Sequence, residues 1–202
     1  MKFEKIKNQT DEFWKWFSAV ASRLAANIEN LPLTKELDER VHRLDAGFSW
    51  EIGPGKSKLW QFVISPDLNR SLREKARAIV AQAPTLTAWE FHASRQPKEW
   101  NYMFELESGD GEELVRLDAS NWTFVLLKYP DGAHEVLLRA KDLPILTEDE
   151  RWQAAAIALE SLLGEDVVLD RIQQFELVDT LEPRFAGRER PIQRLREAVR
   201  GN

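Results

Sequence analysis

The sequence contains no cysteine, and it has only three histidines, two methionines and two tyrosines. The lack of cysteine excludes disulfides, thiolate metal sites and cysteine nucleophiles, and it is compatible with a reducing, cytoplasmic location. No stretch approaches about 18 uninterrupted apolar residues, so no membrane-spanning helix is expected. The N-terminus has no apolar segment of signal-peptide length. We therefore expect a cytoplasmic protein that does not enter a membrane and uses no cofactor or metal.

Negative charge exceeds positive charge, but unevenly. The formal net charge is −6, which argues against nucleic-acid binding over the whole surface. From residue 183 onward there are six arginines and two glutamates, a net charge of +4, which leaves −10 on the rest. Either this basic segment folds back on its own acidic body, or it binds an acidic partner or a nucleic-acid backbone. The second interpretation makes the following residues partner-binding candidates: Arg188, Arg190, Arg194 and Arg196.

With 202 residues, eight tryptophans and ten phenylalanines, the chain can bury a sizeable core. Each fully buried large apolar side chain contributes roughly 1.5–3 kcal/mol. We predict one α+β domain over residues 1–182, followed by an Arg-rich C-terminal tail over residues 183–202.

The first part of the chain predicts two helices. Apolar residues recur at three- and four-residue spacing over residues 10–28, with Thr10 as the expected N-cap. Pro32 is expected to break the chain, and Thr34 to cap a second helix that ends near residue 46. Trp14 lies off the main apolar stripe, so it is either covered by a wide stripe or exposed at a partner or homodimer surface.

The middle of the chain predicts strands. Alternating apolar residues at 48–52 and 59–65 indicate a hairpin, followed by a helix at 71–82 and a strand at 87–93. A hairpin, a helix capped by Thr147 and a strand follow again within residues 122–178. This order is either a pseudo-repeat of a ββαβ unit or chance. A repeat would form one antiparallel-rich sheet with helices on one face, preceded by the two N-terminal helices.

Few residues suggest chemistry. The stretch from Gly53 through Ser57 looks superficially like a phosphate-binding loop, but no helix follows it, so a hairpin loop is expected. The polar face of the predicted sheet carries the catalytic candidates Glu51, Glu90 and His92, and a fourth candidate, Arg95, follows in the next loop. A carboxylate beside an imidazole can position a general base, and an arginine can bind an anionic substrate. The alternative is a solvated sheet face with cross-strand charge pairs.

The same region carries a sequence pattern. It reads W-E-I-G-P-G, then F-V-I-S-P, then A-P-x-L-x-x-W-E-F-H-A-S-R-Q-P-K, and L-G-E at residues 163–165 belongs with it. The pattern resembles that of a bacterial protein family of unknown function. The resemblance implies a bacterial origin and no catalytic residues.

Two classes of function remain open. The first is a non-enzymatic protein that binds another macromolecule, as inhibitors, immunity proteins and regulatory proteins do. Its partner is expected to be another protein, with nucleic acid reached only through the Arg-rich tail. The second is a hydrolase or transferase that uses the Glu/His/Arg candidates on the sheet.

Overall fold

A computed structural model of the chain describes residues 2–107 and 114–201, with side chains from residue 8 onward. The fold is α+β, with two helices first and mixed sheets after them, as predicted. The helices are α1 Lys2–Ala26, α2 Leu31–Leu44, α3 Arg73–Val80, α4 Glu148–Leu163, α5 Glu165–Arg171 and α6 Leu195–Arg200. The strands are β1 Ser49–Pro54, β2 Trp60–Ser65, β3 Trp89–His92, β4 Met103–Glu107, β5 Leu114–Asp118, β6 Thr123–Lys128, β7 His134–Arg139, β8 Ile172–Val178 and β9 Arg190–Pro191. None of the helices in this part of the chain combines the length and apolar character needed to cross a membrane.

The chain divides into two compact units, Met1–Arg95 and Gln96–Asn202. These units differ from the predicted limits of 1–182 and 183–202, because the Arg-rich segment lies inside the second unit. Its buried residues include Ile192, Leu195 and Val199. Whether residues 1–182 fold independently of residues 183–202 stays a prediction.

The first unit is built on a three-stranded sheet in the order β1-β2-β3. Strand β2 pairs antiparallel with β1 and parallel with β3, and α3 makes the crossover that parallel pairing requires. Successive side chains on a strand point to opposite faces. One face is therefore apolar and packs against α1, α2 and α3 through Trp50, Ile52, Phe62, Ile64, Trp89 and Phe91.

Phe62 lies at the centre of this aromatic core and is 0% exposed. Its ring centroid is 4.9 Å from that of Phe17 and 6.1 Å from that of Phe13, both on α1. Aromatic pairs at such distances contribute about 0.5–1.5 kcal/mol beyond their buried area. The aromatic stripe predicted on the first helix is therefore the face that covers the sheet.

Trp14 is part of the same core. Only 4% of Trp14 is exposed, and its Nε1 donates to the Ile79 carbonyl at 2.9 Å. Trp89 donates in the same way to the Ala21 carbonyl at 3.2 Å. Buried indoles require such partners for their N–H groups. The suggestion that Trp14 is exposed at a homodimer or partner surface is therefore wrong.

The predicted N-cap of the first helix is wrong, and the predicted N-cap of α4 is confirmed. Helix α1 begins at Lys2, so Thr10 is a fully buried residue inside the helix and is not its N-cap. The three lysines and one glutamate that precede Thr10 are good helix formers, which favours the longer helix. Thr147 caps α4 as predicted: its Oγ1 accepts from Glu150 N at 3.2 Å, and Glu150 Oε2 accepts from Thr147 N at 2.7 Å.

The second helix also begins earlier than predicted. The N-cap of α2 is Asn30, whose side chain accepts a hydrogen bond from Leu33 N. Pro32 occupies the first turn, where its missing N–H costs no helical hydrogen bond. Thr34, the predicted cap, lies within the helix and donates to the Leu31 carbonyl at 3.1 Å.

The second unit contains two sheets. Strands β4 and β5 form an antiparallel pair, and the turn predicted between them at residues 108–113 lies outside the described residues. The larger sheet has the order β8-β7-β6-β9, with β7 antiparallel to β6 and parallel to β8. Each unit thus contains a ββαβ order with the same strand pairing. The prediction of one continuous sheet is wrong, because the strands of the two units belong to separate sheets and β9 occupies the edge of β6.

Residues 183–201 are held against this sheet by several contacts. Strand β9 pairs antiparallel with β6. Before it, Phe185 packs against Val125 in a small apolar cluster. After it, α6 packs against β6 and α4, and Arg196 Nε donates to the Leu162 carbonyl at 2.7 Å. The segment is therefore an integral part of the second unit.

The position of the α2 cap can be tested by two single substitutions. Asn30→Ala removes the side chain that accepts from Leu33 N, and we expect it to lower the free energy of unfolding by about 1 kcal/mol. Thr34→Ala removes a hydroxyl that donates to carbonyls already within the helix, and we expect a loss below about 0.5 kcal/mol. Urea unfolding followed by circular dichroism measures both. A larger loss for Thr34→Ala than for Asn30→Ala would contradict this assignment.

Candidate functional site

The polar face of the first sheet carries three of the four residues predicted to perform chemistry. Strand register places Glu51 opposite Val63 and Val63 opposite His92, while Gln61 lies opposite Glu90. Adjacent strands are about 4.8 Å apart, so the backbones of Glu51 and His92 are separated by about 10 Å. Glu90 and His92 lie on the same face of β3 and are direct neighbours.

The carboxylate of Glu90 is bound by the hairpin loop between β1 and β2. Lys56 N donates to Oε1 at 2.7 Å and Ser57 N donates to Oε2 at 2.9 Å, and the Ser57 hydroxyl also donates to Oε2. Gly55 permits this tight loop, since a Cβ there would lie 2.5 Å from the Lys58 carbonyl oxygen. The loop is therefore a hairpin connection, as predicted. Its backbone N–H groups do bind an anion, and that anion is the protein's own carboxylate.

These contacts determine the ionisation of Glu90. The Ser57 hydroxyl and then the Lys56 N–H lower the pKa of Glu90 from its ordinary value of 4.5 to about 2. His92 Nε2 lies 3.4 Å from Glu90 Oε1 and adds a weaker contact. An effective general base has a pKa near the working pH, so a carboxylate with a pKa of about 2 is a poor base at pH 7. The geometry favours a structural role for Glu90 as the anchor of the loop.

Glu51 lies beside a different polar group. A Cβ built on Gly53 would be 4.0 Å from Glu51 Oε1 and 3.7 Å from Gln61 Nε2, so both side chains approach the same point. Gln61 is 9% exposed, and its buried Oε1 has no hydrogen-bond partner among the described residues. The carboxylate of Glu51 is thus placed near an amide at the next register position.

Arg95 follows β3 and binds the turn that follows β2. Its Nη1 and Nη2 both lie 3.1 Å from Asp67 Oδ1, and Nη2 donates to Ser49 Oγ at 2.7 Å. Asp67 and Leu68 have φ values of 54° and 58°, which places this turn in the left-handed region. Arg95 therefore connects the beginning of β1 to the turn after β2.

Among the four predicted catalytic residues, Glu90 and His92 are in contact, Glu51 lies near Gln61, and Arg95 binds Ser49 and Asp67. Across residues 2–107 and 114–201, no group of three or more histidine, aspartate or glutamate side chains could hold a metal ion. Sequence reasoning missed the contacts of Glu90, because backbone donors leave no residue signature. A joint Glu/His/Arg catalytic site stays a prediction.

Two of the predicted partner-binding arginines lie over aromatic rings in the second unit. The guanidinium carbon of Arg188 is 5.7 Å from the ring centroid of Phe185, and that of Arg190 is 5.5 Å from the ring centroid of Phe124. Both arginines are exposed, and neither makes an ion pair with a residue that the structure describes. Their position is fixed by contacts that leave their charge unneutralised.

The other two predicted arginines have charged or carbonyl partners. Arg194 pairs with Glu197 at 3.0 Å on an exposed surface. Arg196 is half-buried, donates to the Leu162 carbonyl and lies 3.9 Å from the carboxylate of Glu99. Arg196 therefore contributes to the packing of α6, while Arg194 lies at the surface.

Exposed cations line a concave pocket of about 400 Å³, which we call the basic pocket. Its lining residues are Lys128, Arg190, Arg194, Glu197, Ala198 and Gly201. Lys128 Nζ donates to the Gly201 carbonyl at 2.5 Å, a neutral partner that holds the ammonium in place. Sequence reasoning missed Lys128, because it lies at the end of β6, far along the chain from the arginines.

Comparisons with known proteins give one partial similarity. No family model matches the chain, and no solved structure matches it significantly. Over 119 residues the chain is 32% identical to the ribosomal protein uS12 methylthiotransferase RimO of Pelobacter propionicus. The match covers 50% of this chain and 25% of that protein, so the chain spans about a quarter of the length of the relative. This similarity does not establish a family, and the resemblance to the bacterial family of unknown function stays a prediction.

The role of Glu90 as a loop anchor predicts a pH-dependent effect of Glu90→Gln. The variant loses the charge and one acceptor oxygen, so we expect it to lower the free energy of unfolding at pH 7 by about 1–3 kcal/mol. The pKa of Glu90 is about 2 in the fold and ordinarily 4.5. The stabilisation is therefore complete above the ordinary pKa and is lost as the pH falls towards 2. Unfolding measured from pH 7 to pH 3 should show the difference from the wild-type protein shrinking.

Glu74→Gln is the matched control. The side chain of Glu74 is 81% exposed and pairs only with Arg77 on the surface of α3. We expect a change within about 0.5 kcal/mol at every pH. Equal losses for the two variants, or a Glu90→Gln loss that does not depend on pH, would refute the anchor role.

Proposed function

We propose that the chain is a non-enzymatic protein that binds an acidic surface on another protein through its Arg-rich segment. The observation that carries the proposal is that Arg188, Arg190 and Lys128 are held by neutral groups, whereas Arg194 pairs with Glu197 inside the segment. Arg188 and Arg190 lie over phenylalanine rings, and Lys128 is bound by a carbonyl. Their charge is therefore positioned by the fold without being cancelled by it.

The way the segment is held supports this proposal. It is attached mainly by buried apolar residues and by pairing of β9 with β6. Within the described residues, its ion pairs outside the segment are those of Arg139 with Glu189, Arg184 with Glu182 and Arg196 with Glu99. The first of these pairs joins one negative charge of the segment to one positive charge outside it, so it leaves the net charge of the surface unchanged.

The ion pair with Arg139 neutralises the negative charge of Glu189. Arg139 Nη1 donates to Glu189 Oε2 at 2.6 Å, and the Thr123 hydroxyl donates to the same oxygen at 2.8 Å. The Thr123 hydroxyl and then Arg139 lower the pKa of Glu189, so it stays ionised and bound. A positive patch beside neutralised acids is complementary to an acidic protein surface and accelerates encounter with it.

Inhibitor, immunity and regulatory proteins act in this way, and we place the chain among them by analogy. The absence of cysteine from the sequence fits a reducing location, and we place the protein in the cytoplasm. The acidic remainder of the chain disfavours nucleic acid as the main partner.

The alternative is a hydrolase or transferase with a site at Glu51, Glu90, His92 and Arg95. The low pKa of Glu90 and the engagement of Arg95 with Asp67 both count against it. The partial similarity to a methylthiotransferase would favour a transferase, but it covers 25% of that protein. The binding proposal is therefore the better supported of the two.

The proposal predicts that the triple variant Arg188→Gln, Arg190→Gln, Arg194→Gln loses its partner. Three exposed ion pairs of about 0.5–1 kcal/mol each correspond to about tenfold to a hundredfold in affinity. Affinity capture from bacterial lysate, quantified by mass spectrometry, should show an acidic protein retained by the wild-type chain and lost by the variant. Substitution is preferable to truncation, because residues 183–201 contribute buried side chains to the second unit.

The control is Arg23→Gln, Lys35→Gln, Arg43→Gln, which changes the charge equally at exposed positions in the first unit. This variant should retain the acidic protein, and about 0.5 M salt should release it from the wild-type chain. Retention by the Arg188/Arg190/Arg194 variant would contradict the proposed contact. Loss by both variants would show a response to net charge alone.

A further inference from the structure

A second cavity lies elsewhere in the second unit and has a different chemical character. Its volume is about 450 Å³, within the range of small-molecule sites. It is bounded by the end of β5, the turn before β6 and the segment after β7. Its floor is apolar and buried, with Leu117, Trp122 and Ala140 each no more than 4% exposed. A buried apolar floor with a few polar groups at the rim is typical of a ligand site.

The rim carries charges of both signs. Arg116 and Lys141 are cations, and Asp118 and Asp142 are anions. Lys141 and Asp142 make no ion pair with any residue in the described ranges, although both line this cavity. Arg116 differs, since its Nε donates to Glu105 Oε1 at 2.7 Å, so its charge is already paired. Asn121 adds an amide that can donate or accept.

Several hydrogen bonds fix the wall of the cavity between β5 and β6. Asp118 Oδ1 accepts from Ser120 N at 2.8 Å, and Ala119 N donates to the Tyr102 carbonyl at 2.8 Å. Tyr102 has a φ of 67°, an uncommon left-handed conformation for a tyrosine. Such conformations persist where the surrounding structure determines them, and they cluster at functional sites.

Contacts with Ser120 keep Asp118 ionised. They lower the pKa of its carboxyl below the ordinary value of 3.8, so the group is a carboxylate at pH 7. Gln193 Nε2 also donates to the Ser120 carbonyl at 2.6 Å, which ties the turn to the C-terminal segment. The anionic side of the rim is therefore positioned before any ligand arrives.

We infer that this cavity binds a small zwitterion of amino-acid type, with its ammonium group at Asp118 and Asp142 and its carboxylate at Lys141. A purely anionic ligand would meet the two aspartates, and a purely cationic ligand would meet the arginine and the lysine. A ligand with both charges can pair with the carboxylates and with a cation of the rim at the same time. The site is separate from the proposed protein contact, so the two proposals can fail independently.

Isothermal titration of the intact chain with each of the twenty standard amino acids tests the inference. We expect at least one of them to bind with a Kd below about 1 mM. Its N-acetyl derivative lacks the ammonium charge and its amide lacks the carboxylate, and each should bind at least about tenfold more weakly. The inference is overturned if none of the twenty binds below about 10 mM, or if the derivatives bind as well as the parent.

Substitutions then locate the binding. Asp118→Asn keeps the oxygen that accepts from Ser120 N but loses the charge, and Lys141→Met keeps the length of the stem. Each should weaken the bound amino acid by at least about tenfold. Asp131→Asn is the control for the first, since Asp131 Oδ1 accepts from Ala133 N in a similar turn that does not line the cavity. Lys35→Met is the control for the second, and equal binding by all four variants would place the ligand elsewhere.

Discussion

The position of Arg190 depends on the pairing of β9 with the edge of β6. That short ladder places Arg190 opposite Phe124, with the guanidinium 5.5 Å from the centroid of a ring that is 0% exposed. Phe185 on one side of the ladder and α6 on the other are anchored by buried apolar contacts. Because apolar burial and backbone pairing hold the segment, the charges of Arg188 and Arg190 are not needed to attach it. They are therefore available for a partner.

The two units use their charged residues in different ways. In the first unit, Glu90 and Arg95 are each bound by several groups of the protein itself, and the pKa of Glu90 is held at about 2. Such saturated groups stabilise a loop and a strand end, and they leave little capacity for a substrate. In the second unit, Lys128 and Arg190 are restrained by neutral groups. Charges that the fold orients without neutralising them can bind a charged partner, whereas neutralised charges cannot.

Residue periodicity predicted the α+β class, the strand pairs at 48–65 and 122–139 and the capping box of α4, since these depend on local patterns. Local patterns did not predict that α1 extends back to Lys2, or that Trp14 lies under α3, because tertiary packing decides both. Glu51, Glu90 and His92 lie on one sheet face and Arg95 follows β3, but the partners of Glu90 and Arg95 are backbone N–H groups and turn residues with no sequence signature. The arginines were selected from charge alone, and the rings beneath them became visible only in the fold.

Amide hydrogen exchange of the intact chain, with and without the acidic protein that it captures, tests the binding proposal most directly. The proposal predicts slowed exchange at residues 188–200 and at the end of β6 near Lys128, while the polar face of β3 is unchanged. Exchange in β9 reports on the same ladder that positions Arg190, so protection there reflects contact at the basic pocket. Protection centred on Glu90 and His92, with none at residues 188–200, would contradict the proposal and direct attention to the first unit.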